Sequence, residues 1–261
     1  MRLRILLALP LVALASAAPA AAAPPFVYRD LVLRHGDVAL DFGMGLGHAP
    51  AAAPIDSING FGLNLELALG LSRDVELGAR TGFRLDDGGQ TLRADGYGRL
   101  FQTETYGTGG DRIANPEIYA LWAVARGAHA ELGLQLAAYL PFDNSHFGMM
   151  FALPVALRGG SLRLDTGVYV PMFFHSSTVT ISVPAHLWIQ ATPRLWLGPL
   201  FGLRVTTWDG HSSVEYPLGF GLGSALNPTV DLRGWLLFPN MNQERAARTF
   251  GAGFALQFRF E

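Results

Sequence analysis

Residues 249–260 alternate with a strict period of two. Phe250, Ala252, Phe254, Leu256, Phe258 and Phe260 share one parity; Gly251, Gly253, Ala255, Gln257 and Arg259 share the other. An extended strand places these sets on opposite faces, one a continuous apolar band and the other small or polar. A helix would scatter both sets around its circumference, so the pattern predicts a strand. The same alternation returns along the chain. Phe61, Leu63, Leu65, Leu67 and Leu69 alternate with Asn64, Glu66 and Gly70. Val75, Leu77, Ala79, Thr81 and Phe83 alternate with Glu76, Gly78, Arg80 and Arg84, and Leu132, Leu134, Leu136 and Leu140 with Glu131, Gly133, Gln135 and Tyr139. Further along, Leu162, Leu164, Val168 and Val170 oppose Arg163, Asp165 and Tyr169, and Val230, Leu232, Leu236 and Phe238 oppose Asp231, Arg233 and Trp235.

The connections between these segments are of two kinds. Tight ones carry turn residues: Ser72-Arg73, Arg126-Gly127-Ala128, Gly159-Gly160, Thr192-Pro193 and Asn227-Pro228. Longer ones span 48–59, 86–115, 142–146, 175–178, 209–213 and 240–248. The two kinds alternate, as short periplasmic turns and longer outer loops do in a membrane barrel. The predicted strands are 37–46, 59–71, 74–84, 115–126, 129–141, 147–158, 160–172, 178–191, 193–207, 213–226, 228–239 and 249–260. Their number is even, both chain ends fall on the short-turn side, and most are long enough to cross a bilayer at a tilt. Segment 86–115 is read as one long outer loop; an extra hairpin through 91–103 would raise the count from about twelve to fourteen. A soluble β-sandwich would also alternate. This chain, however, has more apolar face than one sandwich core needs. The expected fold is therefore all-β, a transmembrane antiparallel up-and-down β-barrel over 37–261.

The first residues fit export. Arg2 and Arg4 precede an apolar run from Ile5 to Leu14 and an Ala-rich stretch, the layout of a Sec-type signal peptide over 1–23. Residues 24–36 then form a short periplasmic segment ahead of the barrel. Without Arg2 and Arg4 the net charge moves from −2 to about −4, and no basic patch supports nucleic-acid binding. With 0 Cys, a lipid-anchoring cysteine, disulfides and thiolate chemistry are excluded.

Parity directs one set of side chains inward, and these are the candidate pore-lining residues: Glu66, Glu76, Arg80, Arg84, Glu117, Glu131, Arg163, Asp165, Arg204, Glu215, Asp231, Arg233 and Arg259. Asp41, Arg194 and Gln257 share that parity. Acids and arginines nearly balance, so the set serves either a network of ion pairs filling a narrow lumen or a polar pore. A twelve-stranded barrel lies between the side-chain-filled eight-stranded and the open sixteen-stranded kind. The long segment 86–115 is the candidate constriction, with Tyr106, Asp111 and Arg112 at its polar, glycine-rich centre. Trp188, Trp196 and Trp235 have inward parity, whereas Trp122, Phe258 and Phe260 lie on the apolar face.

No catalytic, metal or cofactor site is expected. His175-Ser176-Ser177 resembles the His-x-Ser arrangement of the outer-membrane phospholipase family, which also has twelve strands. That family follows the serine with Asn-Gly and uses a downstream Asn; here Thr178 and Val179 follow, and the corresponding region offers only Gln190. The histidines His35, His48, His129, His146, His175, His186 and His211 show no ligand spacing.

Leu71-Ser72-Arg73-Asp74-Val75-Glu76-Leu77-Gly78, Asn115-Pro116-Glu117 opening a strand, and Glu131-Leu132-Gly133-Leu134 through Leu140-Pro141 together resemble transporter-type Gram-negative outer-membrane barrels, in particular the phenol meta-pathway-like outer-membrane protein group. Phe258-Arg259-Phe260 resembles the aromatic signal read by the barrel-assembly machinery, although Glu261 follows it. The resemblance implies an outer-membrane location, contact with outer-membrane lipids, assembly through the C-terminal strand, and a narrow passive channel or transporter for small, hydrophobic solutes. Fatty-acid-type transporters carry a sizeable N-terminal plug, which the dozen residues before the barrel do not match. The alternatives from other classes are a closed structural or adhesive barrel without conductance, and a lipid-directed hydrolase.

Overall fold

The computed structural model describes residues 24–49, 58–84, 116–141, 147–174, 178–242 and 246–260. In it every alternating segment is an antiparallel strand. The strands are β1 (Val38–Ala49), β2 (Ile58–Gly70), β3 (Val75–Arg84), β4 (Glu117–Arg126), β5 (Ala130–Tyr139), β6 (Gly148–Gly159), β7 (Leu162–Phe173), β8 (Thr178–Gln190), β9 (Leu195–Trp208), β10 (His211–Glu215), β11 (Leu218–Asn227), β12 (Val230–Phe238) and β13 (Phe250–Phe260). Each pairs with its sequence neighbour, except that β10 and β11 both pair with β9. The sheet closes where β13 meets β1, in register from Val38↔Phe260 to His48↔Phe250. Closure removes the unpaired edges that an open sheet would present to lipid.

The wall has twelve strands. β10 pairs with the loop-end half of β9 (Glu215↔Arg204), and β11 continues along the same neighbour (Leu218↔Phe201). The two are halves of one strand interrupted at Tyr216-Pro217, where proline supplies no ladder N–H. Between β9 and β10 the longer loop expected over 209–213 is instead a two-residue hairpin. Asp209 and Gly210 have φ of 43° and 81°, and positive φ at both central residues is what a type I′ turn requires. β3 pairs directly with β4, from Val75↔Trp122 to Arg80↔Glu117. The circle therefore closes at twelve and not fourteen, while the hairpin considered through 91–103 lies outside the described residues.

Alternation in sequence becomes alternation in exposure. Along β6, Met149 and Phe151 are 40% and 41% exposed, whereas Met150 and Ala152 are 1% and 0% exposed. The exterior is a band of Leu, Phe, Val and Ile side chains, including Leu65, Leu67, Phe42 and Leu136. The inner wall carries aromatic residues laid flat on cross-strand glycines. A Cβ on Gly223 would lie 2.2 Å from Trp196 Cε2, so only glycine admits the ring in that position.

Part of the inner wall packs against residues 26–33, which lie inside the barrel at the tight-turn end. A 3-10 turn at Phe26–Tyr28 and a bend at Leu31-Val32 shape the segment, and the chain then reverses into β1 at the tight-turn end. Gly36 makes the reversal at φ 88°, its N–H bonding Gly70 O at 2.8 Å, while Gly70 N–H bonds Asp37 O at 2.9 Å. Val32 packs with Tyr119, Leu121, Ala123, Ala137, Tyr139 and Met150 into one buried cluster. A second cluster joins Leu200, Trp235, Leu237 and Ala255, with Trp188 against it.

Candidate functional site

The inward charges come from many strands, and the closed register sets them side by side. Arg80 on β3 and Glu117 on β4 are register partners and make a two-pronged pair, Nε to Oε2 and Nη2 to Oε1, both at 2.6 Å. Arg204 pairs with Glu215 across the β9–β10 hairpin. Arg163 Nε bonds Asp165 Oδ1 at 2.7 Å, and Trp188 Nε1 donates to Asp165 Oδ2 at 3.1 Å. Gln257 Nε2 donates to Asp41 Oδ2 at 2.8 Å, and its carbonyl accepts from Arg233. The Tyr119 hydroxyl lies 2.6 Å from Glu66 Oε1 and 3.0 Å from Glu76 Oε1. Such pairing is what buried charge requires.

At the tight-turn end the charges serve a different purpose: they hold residues 26–33. Phe26 stacks on Trp196, with centroids 4.6 Å apart and planes 5° apart, and meets Trp188 edge-on at 5.6 Å. The Arg29 and Arg163 guanidiniums lie 5.6 and 5.2 Å from the Phe26 ring centre. Arg29 itself pairs with Asp231, which is fully buried and also faces Arg259 at 3.3 Å and Arg233 at 3.9 Å. Burial lowers the Arg29 pKa from its usual value, and the hydrogen bond and charge of Asp231 oppose that shift. The remaining contacts go to the backbone of the segment. Val27, Leu31 and Leu33 donate their N–H groups to Gln190 Oε1 (3.2 Å), Glu131 Oε2 (2.6 Å) and Glu76 Oε2 (2.9 Å). Arg29 O accepts from both Arg158 and Arg163.

Around this segment lies a cavity of about 330 Å³. Its walls include Leu121, Pro154, Tyr169, Trp188, Leu200 and Trp235, interspersed with Asp41, Gln135, His186 and Arg233. Gln135 Nε2 and Trp235 Nε1 are buried donors without a hydrogen-bond partner.

Most sequence-predicted inward residues face the interior: Asp41, Glu66, Glu76, Glu117, Glu131, Arg163, Arg204 and Asp231 are all buried. Asp165, Glu215, Arg233 and Arg259 are partly buried. Arg84 closes β3 opposite Gly62. Arg194 departs from expectation: it is exposed in the tight turn before β9, where the chain has left the strand and parity no longer sets direction. Trp196 and Trp235 are buried inside and Trp122 is exposed outside. Tyr106, Asp111, Arg112, His175 and Ser177 lie outside the described residues. Among the described residues, no group of three or more His, Asp or Glu is placed to hold a metal. Sequence reasoning missed Phe26, Arg29 and Val32. Their faint signal is an apolar, basic, apolar spacing of three directly after Pro24-Pro25.

No protein-family model matches the chain, and no curated protein does. Solved structures do. The COG4313 outer membrane channel from Pseudomonas putida F1 superposes with a TM-score of 0.59 at 13% identity, covering 90% of this chain and 99% of that one. The chain has the fold of an outer-membrane barrel. The NanC porin gives a TM-score of 0.57 at 7% identity over 84% of this chain and 98% of its own, and the KdgM porin 0.55 at 8% over 85% and 99%. At these identities the likeness is one of fold and carries no substrate.

Proposed function

We propose that this chain is an outer-membrane channel for small solutes with an apolar body, closed at its periplasmic mouth by residues 26–33. One observation carries the reading: the segment inside the tight-turn end of the lumen belongs to no strand and is held without any ladder pairing to the wall. A barrel built only for structure needs no such separable filling, since wall side chains can fill it. Neighbouring folds bear the names channel and porin, which supports the class. The apolar and aromatic walls beside the segment support the solute type, and the two unpartnered donors favour one that also carries a hydrogen-bond acceptor. In this reading the tight turns face the periplasm and residues 1–23 direct export. The C-terminal strand, ending on the exposed Phe260, is then what the assembly machinery recognises.

A closed barrel without conductance is the second reading, favoured by the pairing of lumenal charges. Planar-bilayer recording of the refolded protein separates the two. The channel reading expects rare openings in the native chain and frequent ones in Phe26→Ala/Arg29→Ala. Silence from both proteins, each folded, establishes the closed barrel.

A further inference from the structure

Residues 26–33, a 3-10 turn followed by a bend at Leu31-Val32, are held in the way a receptor holds a bound peptide segment. Main-chain groups of the segment are bound by the receptor, and separate pockets read alternate stretches of side chain. Barrel carboxylates take the N–H groups of Leu31 and Leu33, at 2.6 and 2.9 Å, and barrel guanidiniums take the carbonyl of Arg29. These bonds make no demand on side-chain identity. Specificity resides in three pockets spaced three residues apart. Trp196 and Trp188 box the Phe26 ring, Asp231 receives Arg29, and the Tyr119–Tyr139–Met150 cluster buries Val32. No ladder pairing joins the segment to the wall, and its one covalent tie is the reversal at Gly36. The mixed signs of the barrel floor follow from this arrangement, because a peptide backbone presents donors and acceptors in alternation and needs both.

We propose that the floor of the barrel is a binding site for a short turn-and-bend peptide of the pattern aromatic-x-x-arginine-x-x-aliphatic, with residues 26–33 as its resident ligand. A peptide of the same pattern supplied by another molecule exchanges with that segment. The inference deepens the channel reading by naming what opens and closes the lumen, but it is tested by binding, without reference to conductance.

The test uses the full chain in detergent and a fluorescent synthetic peptide with the sequence of residues 24–35, PPFVYRDLVLRH. In Phe26→Ala/Arg29→Ala the resident ligand is weakened, and fluorescence anisotropy is expected to show the peptide binding at least ten-fold tighter than to the native chain. A peptide with alanine at the positions of Phe26 and Arg29 should bind at least ten-fold more weakly. Asp231→Asn, added to the double variant, should reduce affinity for the unaltered peptide. Equal binding of the two peptides, or none by a variant that keeps heat-modifiable gel mobility, overturns the proposal. Should that variant not fold, the native chain with a spin label at Tyr28→Cys is titrated with unlabelled peptide. A growing mobile component supports exchange, and an unchanged spectrum at saturating peptide overturns it.

Discussion

Removing the charge of Asp231 tests how residues 26–33 are retained. Asp231 has no exposed side-chain surface, the Arg29 side chain is 13% exposed, and Arg259 and Arg233 approach the same carboxylate at 3.3 and 3.9 Å. Asp231→Asn thus leaves three guanidiniums without their shared counter-charge. Breaking a buried pair from one side costs about 3–5 kcal/mol. Arg29→Met should cost less, about 1.5–3 kcal/mol, the worth of hydrogen bonds to a charged group, because Asp231 keeps its two other arginines. The double variant isolates the contact between them, with an expected coupling of about 2–3 kcal/mol. At about 1.4 kcal/mol per factor of ten, that is roughly 30- to 150-fold in the equilibrium between seated and released segment. The chain has 0 Cys, so a reporter at Tyr28→Cys is unique. Its release can be followed in urea below the concentration that unfolds the barrel. The label removes the Tyr28 hydroxyl bond to Gly160 O in all four proteins, so that loss cancels. A coupling below about 0.5 kcal/mol, with all four barrels folded, would place the pair with exposed surface pairs and refute the retention argument.

Three other outcomes follow from the same structure. Val32→Ala removes two buried methyl groups from the Tyr119–Tyr139–Met150 cluster and should favour release by about 1.6 kcal/mol, at about 0.8 each, measured with the same reporter. Gly223→Ala puts a Cβ 2.2 Å from Trp196 Cε2; overpacking of about 1–3 kcal/mol should lift that indole off the wall and away from Phe26, with a red-shifted tryptophan emission. An unshifted spectrum from a folded variant would contradict the close approach. Leu65→Arg, on the outer face between Phe42 and Thr81, should destabilise the barrel in lipid by about 2–4 kcal/mol in a urea refolding titration, whereas a neutral result would mean that this face does not meet hydrocarbon.

Much of the wall was legible in the residues, since strand alternation is a local property. The parity of 61–70 or 249–260 decides which side chains share a face wherever the strand is placed. The same parity put Glu66, Glu76, Glu117, Glu131 and Asp231 inside. It failed at Arg194, where the backbone is a turn, and it did not show that the Asp209-Gly210 pair shortens an outer loop to two residues. Tyr216-Pro217 was legible as part of one strand, while the interruption there depends on how proline meets the β9 ladder.

Pairing within the lumen was legible only where it is local, as for Arg163 and Asp165 two residues apart on one strand. Alternation makes Arg80 and Glu117 inward, but their partnership needs the register of β3 on β4 across a long connection. Asp231 and Arg29 are 202 positions apart, and nothing local relates them. By itself the sequence determined an antiparallel barrel with an apolar exterior and a charged interior, since period-two patterning and turn chemistry act over a few residues. Only the tertiary structure decided that residues 26–33 occupy that interior. A segment without strand pairing has no periodic signature, and its place is set by carboxylates, guanidiniums and indoles that converge only when the barrel closes.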